Sequence, residues 1–195
     1  ADDNTAVGYN ALNQNTTGNQ NVAVGSRAGD AITTGSENTA IGFASLTNAT
    51  TASDNTGIGR ATLNQNTSGA SNTALGHDAL ENNTTASNNT AVGKDALTNN
   101  TEGANNVAVG SLALDANTTA SKNTAIGQAA LSGNTTGASN TSVGQGSLQN
   151  NTTASNNTAV GVDALGVNTT GASSVAVGVN ALDANTTGDN NVGVA

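Results

Sequence analysis

Asn89-Thr90-Ala91-Val92-Gly93-Lys94-Asp95-Ala96-Leu97-Thr98-Asn99-Asn100-Thr101-Glu102-Gly103-Ala104-Asn105 is one full period of this chain. The same pattern restarts at Asn106-Val107-Ala108-Val109-Gly110. Stepping by 17 from Gly8 reaches Gly25, Gly42, Gly59, Gly76, Gly93, Gly110, Gly127, Gly144, Gly161 and Gly178 with no insertion or deletion. The residue before each glycine is Val, Ile or Leu, as in Val7, Ile41, Leu75 and Val92. Four residues after it comes a leucine: Leu12, then Leu46, Leu63, Leu80, Leu97, Leu114, Leu131, Leu148, Leu165 and Leu182. One coil has Gly29 there, and it carries Ile32 where most coils carry Asn. We read Ile32 as a displaced core residue filling the gap. The columns that start at Thr16 and Asn4 are almost invariant, with Ser174 the one exception to Asn.

A second period lies over the first. Thr51-Ala52-Ser53 is followed by Ser68-Gly69-Ala70, then by Thr85-Ala86-Ser87 and by Glu102-Gly103-Ala104. The alternation points to a duplicated unit of two coils.

Composition alone points toward disorder. Leu, Ile, Val and Phe make up only about 16% of the residues, too few for an ordinary globular core. Yet proline is absent and only 9% of residues are charged, which is unlike a disordered chain. A repeat array resolves the conflict, because each unit needs only a few apolar residues when its neighbours cover it.

The Asn-Thr-Ala-Val stretch alternates and carries β-branched residues, so it reads as a strand. Thr5 and Val7 then point to one side, Asn4 and Ala6 to the other. Glycine turns the chain after it. Ala11 and Leu12 belong to a second short element, and Asn-Thr-Thr returns the chain. Seventeen residues accommodate two or three short strands with corners, but not a strand, a helix and two loops. A leucine-rich repeat needs more than the single leucine per coil found here. The expected fold is therefore all-β: a parallel β-solenoid, or β-roll, of about eleven 17-residue coils forming one array over residues 1–195. Stacked coils would give a rod about 50 Å long, with Asn and Thr ladders along it. We expect the Val and Leu columns to face the coil interior or a chain–chain contact, and the column of Tyr9, Phe43, Arg60, His77, Lys94 and Gln128 to face water.

Chemistry is sparse. One histidine, no cysteine and four scattered basic residues (Arg27, Arg60, Lys94, Lys122) offer no zinc set, no thiol and no basic patch for nucleic acid or an anionic membrane. The net charge of −9 is spread thinly. The sequence contains no apolar run of membrane length. Carboxylates occur in two columns, one with Asp78, Asp95 and Asp163, the other with Asp30, Glu81, Asp115 and Asp183. A hydrolase would need clustered carboxylates in separated environments, and only Asp78 and Asp95 are placed to approach each other. We expect no catalytic, cofactor-binding or metal-binding residue, and no cofactor. Asn-x-Thr/Ser sequons at Asn15, Asn66, Asn83, Asn117 and Asn134 follow from the repeat itself.

At Asn123-Thr124-Ala125-Ile126-Gly127 followed by Ala130-Leu131, and throughout the array, the sequence resembles the head repeats of YadA-like trimeric autotransporter adhesins and the repeats of phage tail-fibre-like proteins. Those adhesin heads repeat with a shorter period than the 17 residues here. The resemblance implies left-handed parallel β-rolls, three chains to a head, outside the cell or on a virion, and no catalytic residue. With one Val, one Leu and two Ala per coil and no capping element, we expect self-association as a homotrimer or an end-to-end filament. The function expected is a structural or adhesive fibre, meeting a host-surface receptor or glycan if it meets any partner besides itself. The alternative expected is an ordered-ligand array, ice first, using the Thr and Asn columns. In that reading Asn15 and Thr17 share one face and Thr16 points the opposite way.

Overall fold

A computed structural model describes residues 1–195. It is a parallel β-solenoid. Twelve three-residue strands, β1 (Thr5–Val7) through β12 (Val192–Val194), form one sheet in sequence order. Every neighbouring pair is parallel and offset by one repeat, as in Thr90 beside Val107, Ala91 beside Ala108 and Val92 beside Val109. The structure contains no helix long and apolar enough to cross a membrane.

Each coil has one strand, not two or three. The Ala11–Leu12 element and the Asn-Thr-Thr return are turns. The reason is backbone conformation. Three residues per coil lie in the left-handed region, for example Asp95 (φ +58°), Leu97 (φ +51°) and Asn105 (φ +60°). Extended pairing cannot run through such residues. For a side chain that has a Cβ the conformation costs on the order of 1 kcal/mol. The stacked coils hold it in place, because the turns bond from coil to coil as the strands do. Of 126 backbone hydrogen bonds only 22 lie within strands, and most of the rest join successive coils. Leu97 N donates to Ala113 O at 3.0 Å, Thr101 N to Thr118 O at 2.9 Å, and Asn105 N to Ser87 O at 3.2 Å.

The interior combines apolar side chains with asparagine amides. The middle residue of ten of the twelve strands, such as Ala74, Ala91 and Ala108, is buried, as are Ala96 and Leu97 with most of their equivalents; at the ends of the rod Ala6 is exposed and Gly193 half-buried. The Leu column is thus inside, as expected. The Val column is not: Ile58, Leu75, Ile126 and Val160 are exposed, and Val92 is half-buried on the outer side of the sheet. A coil this small holds one leucine beside a pair of methyl groups, so the strand turns its alanine inward and its bulkier residues out. Ile32 does fill the space left by Gly29. It is buried, and its Cδ1 lies 3.0 Å from where a Gly29 Cβ would sit.

Two asparagine ladders complete the interior. Asn106 Nδ2 donates to Ala120 O at 2.9 Å, closing its own coil, and Asn106 Oδ1 accepts from Asn123 N at 2.9 Å, tying that coil to the next. In the second ladder Asn100 Nδ2 donates to both Asn83 Oδ1 and Gly103 O at 2.9 Å, and Asn117 Nδ2 donates to Asn100 Oδ1 at 2.8 Å. These amides are buried without a desolvation penalty because their polar atoms are paired. They explain how a chain so poor in large apolar residues folds: hydrogen bonds repeated in every coil do part of what apolar burial does elsewhere. A threonine ladder runs outside them, with Thr101 Oγ1 donating to Thr118 O at 3.1 Å.

The two-coil period has a physical counterpart. In glycine coils two successive amides, such as Thr67 and Ser68, reach the threonine carbonyl above (Thr84 O), whereas in the alanine coils of Thr84, Thr118 and Thr152 only the first does so. Ala70 N of a glycine coil also donates to Ser87 Oγ of the following alanine coil at 3.0 Å. From the coil of Thr67 onward junctions with two such amides alternate with junctions with one, while the earlier alanine coil of Thr50 also has two.

The stacking register makes deletions of different length behave differently. Removing Asn89 to Asn105 keeps every column aligned and should leave the far-ultraviolet circular dichroism per residue and the cooperative melt intact. Removing only Asn89 to Ala96 shifts every later column and should abolish the melt. Similar melting of the two deletions would contradict the stacking register.

Candidate functional site

Three parts of the surface differ in chemistry. The first is the outer face of the sheet, formed by the residues flanking the buried alanines: Thr90 and Val92 in one coil, Val107 and Val109 in the next. The second is the corner after the glycine, where Tyr9, Phe43, Arg60, His77, Lys94 and Gln128 are all exposed, as expected. The third is the Asn-Thr-Thr return. Here Asn66, Asn83, Asn117 and Asn134 are fully buried and Asn15 partly so. Thr16 and Thr17 both face outward. This corrects the expected phase: Asn15 and Thr17 do not share a face, because the left-handed residues on the turns break simple alternation. It also accounts for the sequons. In the folded chain Asn66, Asn83, Asn117 and Asn134 each donate Nδ2 to a carbonyl three residues on, at 2.8–2.9 Å for three of them and 3.0 Å for Asn117, so these amides build the ladder and are closed to a glycan.

The structure brings one set of charged side chains together. On consecutive coils, Arg60 Nη1 lies 2.7 Å from His77 Nε2, and His77 Nδ1 lies 2.8 Å from Asp78 Oδ2. Arg60 can only donate, so Nε2 accepts and Nδ1 carries the proton that it gives to Asp78. Lys94 pairs with Asp95. Ligand atoms of His77, Asp78 and Asp95 lie within 4.8 Å of one another. Asp78 and Asp95 thus do approach across neighbouring coils, but both nitrogens of His77 and one carboxylate oxygen of Asp95 are already engaged. Exposed pairs of this kind contribute little to stability. Asp163 and Asp183 border a shallow depression of about 260 Å³ with Asn150 and Asn180. A second groove, lined by Asn82, Asn99, Thr84, Thr101 and Thr118, is neutral.

Burial raises the pKa of Asp115, and it raises that of Glu81 with the help of neighbouring Asp78. A carboxyl whose folded pKa is raised destabilises the fold once ionised. Stability is therefore lost as pH rises from the ordinary carboxylate range through the raised value, and regained on acidification. Asp115 Oδ1 is buried without a partner, so Asp115→Asn should raise the melting temperature slightly at neutral pH and flatten its dependence on pH below 7. A lower melting temperature for this variant at neutral pH would contradict the assignment.

The fold defines the class: a parallel β-solenoid repeat protein. No protein-family model, no curated protein and no solved structure matches the chain.

Proposed function

We propose that this chain is a structural or adhesive fibre segment that self-associates, as a homotrimer or an end-to-end filament, outside the cell or on a virion surface, and that it performs no catalysis. One observation carries the reading: the coils repeat without interruption, and the outer sheet face holds a continuous row of Val, Ile and Leu, eight of them exposed and four half-buried. Contiguous apolar surface beyond a few hundred Å² is rare on a monomer and marks a contact. The YadA-like and tail-fibre-like resemblance agrees with this, and a receptor or glycan would be met by the tolerant corner of Tyr9, Phe43 and Arg60. Ice binding is the second reading. The observation favouring it is the outer sheet face, which presents Thr and Val in ranks at a constant register, although the inward Asn columns are withdrawn from it. Electron microscopy of the isolated segment tests the proposal: bundles wider than one solenoid, or filaments longer than about 50 Å, support it, and only single short rods at high concentration count against it.

A further inference from the structure

We propose that the outward Thr-x-Val face of the sheet is the surface on which a second copy of this chain packs; this rests on the self-association reading and assigns it a place. The two outward columns run through all twelve strands, from Thr5 and Val7 to Val192 and Val194. Every one of their positions is Thr, Val, Ile or Leu. None of the four basic and thirteen acidic residues falls in either. The charges lie at the other columns. Those flanking the strands are polar or mixed, with Glu37, Asp54 and Lys122 on one side and Arg60 and Lys94 on the other. An uncharged centre of threonine and aliphatic side chains with a polar rim fits the anatomy of a protein interface, whose core is depleted in charge.

Strand propensity alone does not account for this composition. Threonine serves a strand as well as valine does, and the first outward column is mostly threonine. The second, from Val7 to Val194, contains none. That column is kept apolar although Val7, Ile41, Ile58, Leu75, Ile126 and Val177 are exposed.

Charge and size select the occupant. The chain carries a net charge of −9, so like copies repel except where they meet through an uncharged face. A second copy also offers the same inter-coil spacing along its whole length. Twelve strands at about 4.8 Å, each about 10 Å wide, give a footprint of roughly 500 Å² per chain, or about 1,000 Å² for a pair. That is near the lower edge of specific interfaces, so the contact should strengthen as coils are added.

The test substitutes three outward residues in separate coils, Ile58→Lys, Val92→Lys and Ile126→Lys together. Light scattering gives the mass, and circular dichroism with melting monitors the fold. The expected result is a wild type at a multiple of 18.7 kDa and a folded variant at the monomer mass. The milder set Ile58→Thr, Val92→Thr and Ile126→Thr keeps β-branched residues, and is expected to weaken association at least tenfold even if the lysine variant fails to fold. A folded variant that keeps the wild-type mass, or a threonine set with unchanged association, overturns the assignment of the face while leaving assembly standing. A wild type that is monomeric throughout refutes assembly itself. If that monomer also inhibits ice recrystallisation, and the lysine substitutions abolish the effect, the face belongs to a water lattice instead.

Discussion

Replacing Leu97 by aspartate is expected to unfold the centre of the rod, while the same change at Val92 leaves it folded. Leu97 is completely buried, in line with Leu80 and Leu114. The substitution removes a core side chain, worth about 2–5 kcal/mol when such residues are truncated, and adds an unpaired buried charge at a cost of several kcal/mol more. Nearest-neighbour stacking offers no distant contacts to offset the loss. At Val92 the aspartate reaches water on the outer side of the sheet. It loses strand propensity of at most about 1 kcal/mol. Chemical denaturation followed by circular dichroism separates the two, and equal losses of stability would contradict the assignment of inside and outside.

Gly93→Ala is the second large effect. At φ +136° Gly93 holds a conformation that residues with a side chain rarely adopt. The added Cβ would also lie 2.6 Å from the carbonyl carbon and oxygen of Gly110 and 3.0 Å from Ser111 N. All three are backbone atoms of the next coil, so no side chain can move aside. Strain and overpacking together are expected to cost about 3 kcal/mol or more. Gly166→Ala is the comparison. Its φ is not in the left-handed region and its nearest contact is 3.1 Å, so it should cost less than about 1 kcal/mol. A thermal shift for Gly93→Ala no larger than that for Gly166→Ala would show that coils do not approach as closely as described.

These two residues also mark how far the sequence could be read. The 17-residue step was legible from the glycines, because only a close and repeated approach of backbones requires that residue at every coil. Ile32 was legible as a compensation, since one missing leucine and one unexpected isoleucine fall in the same coil. The direction of the strand was half legible. Alternation placed Thr90 and Val92 on one side and Ala91 on the other, but hydrophobicity argued for valine inside. The size of the coil decided otherwise, and nothing in the alternation itself states that size. The buried Asn columns were legible as ladders, though not as interior, because a turn containing left-handed residues such as Leu97 and Asn105 does not keep the period of two on which facing arguments rest. Of the charged set, Asp78 and Asp95 were foreseeable from their spacing. The pairing of Arg60 with His77 was not, because that column carries a different residue in almost every coil.

The proposed function depends most directly on whether the rod stays alone. Light scattering or sedimentation over a dilution series of the wild-type segment gives the answer in one measurement. The expected result is a concentration-dependent mass at integral multiples of 18.7 kDa, with folded circular dichroism throughout. A fully folded species that remains at 18.7 kDa at the highest concentration reached would contradict it.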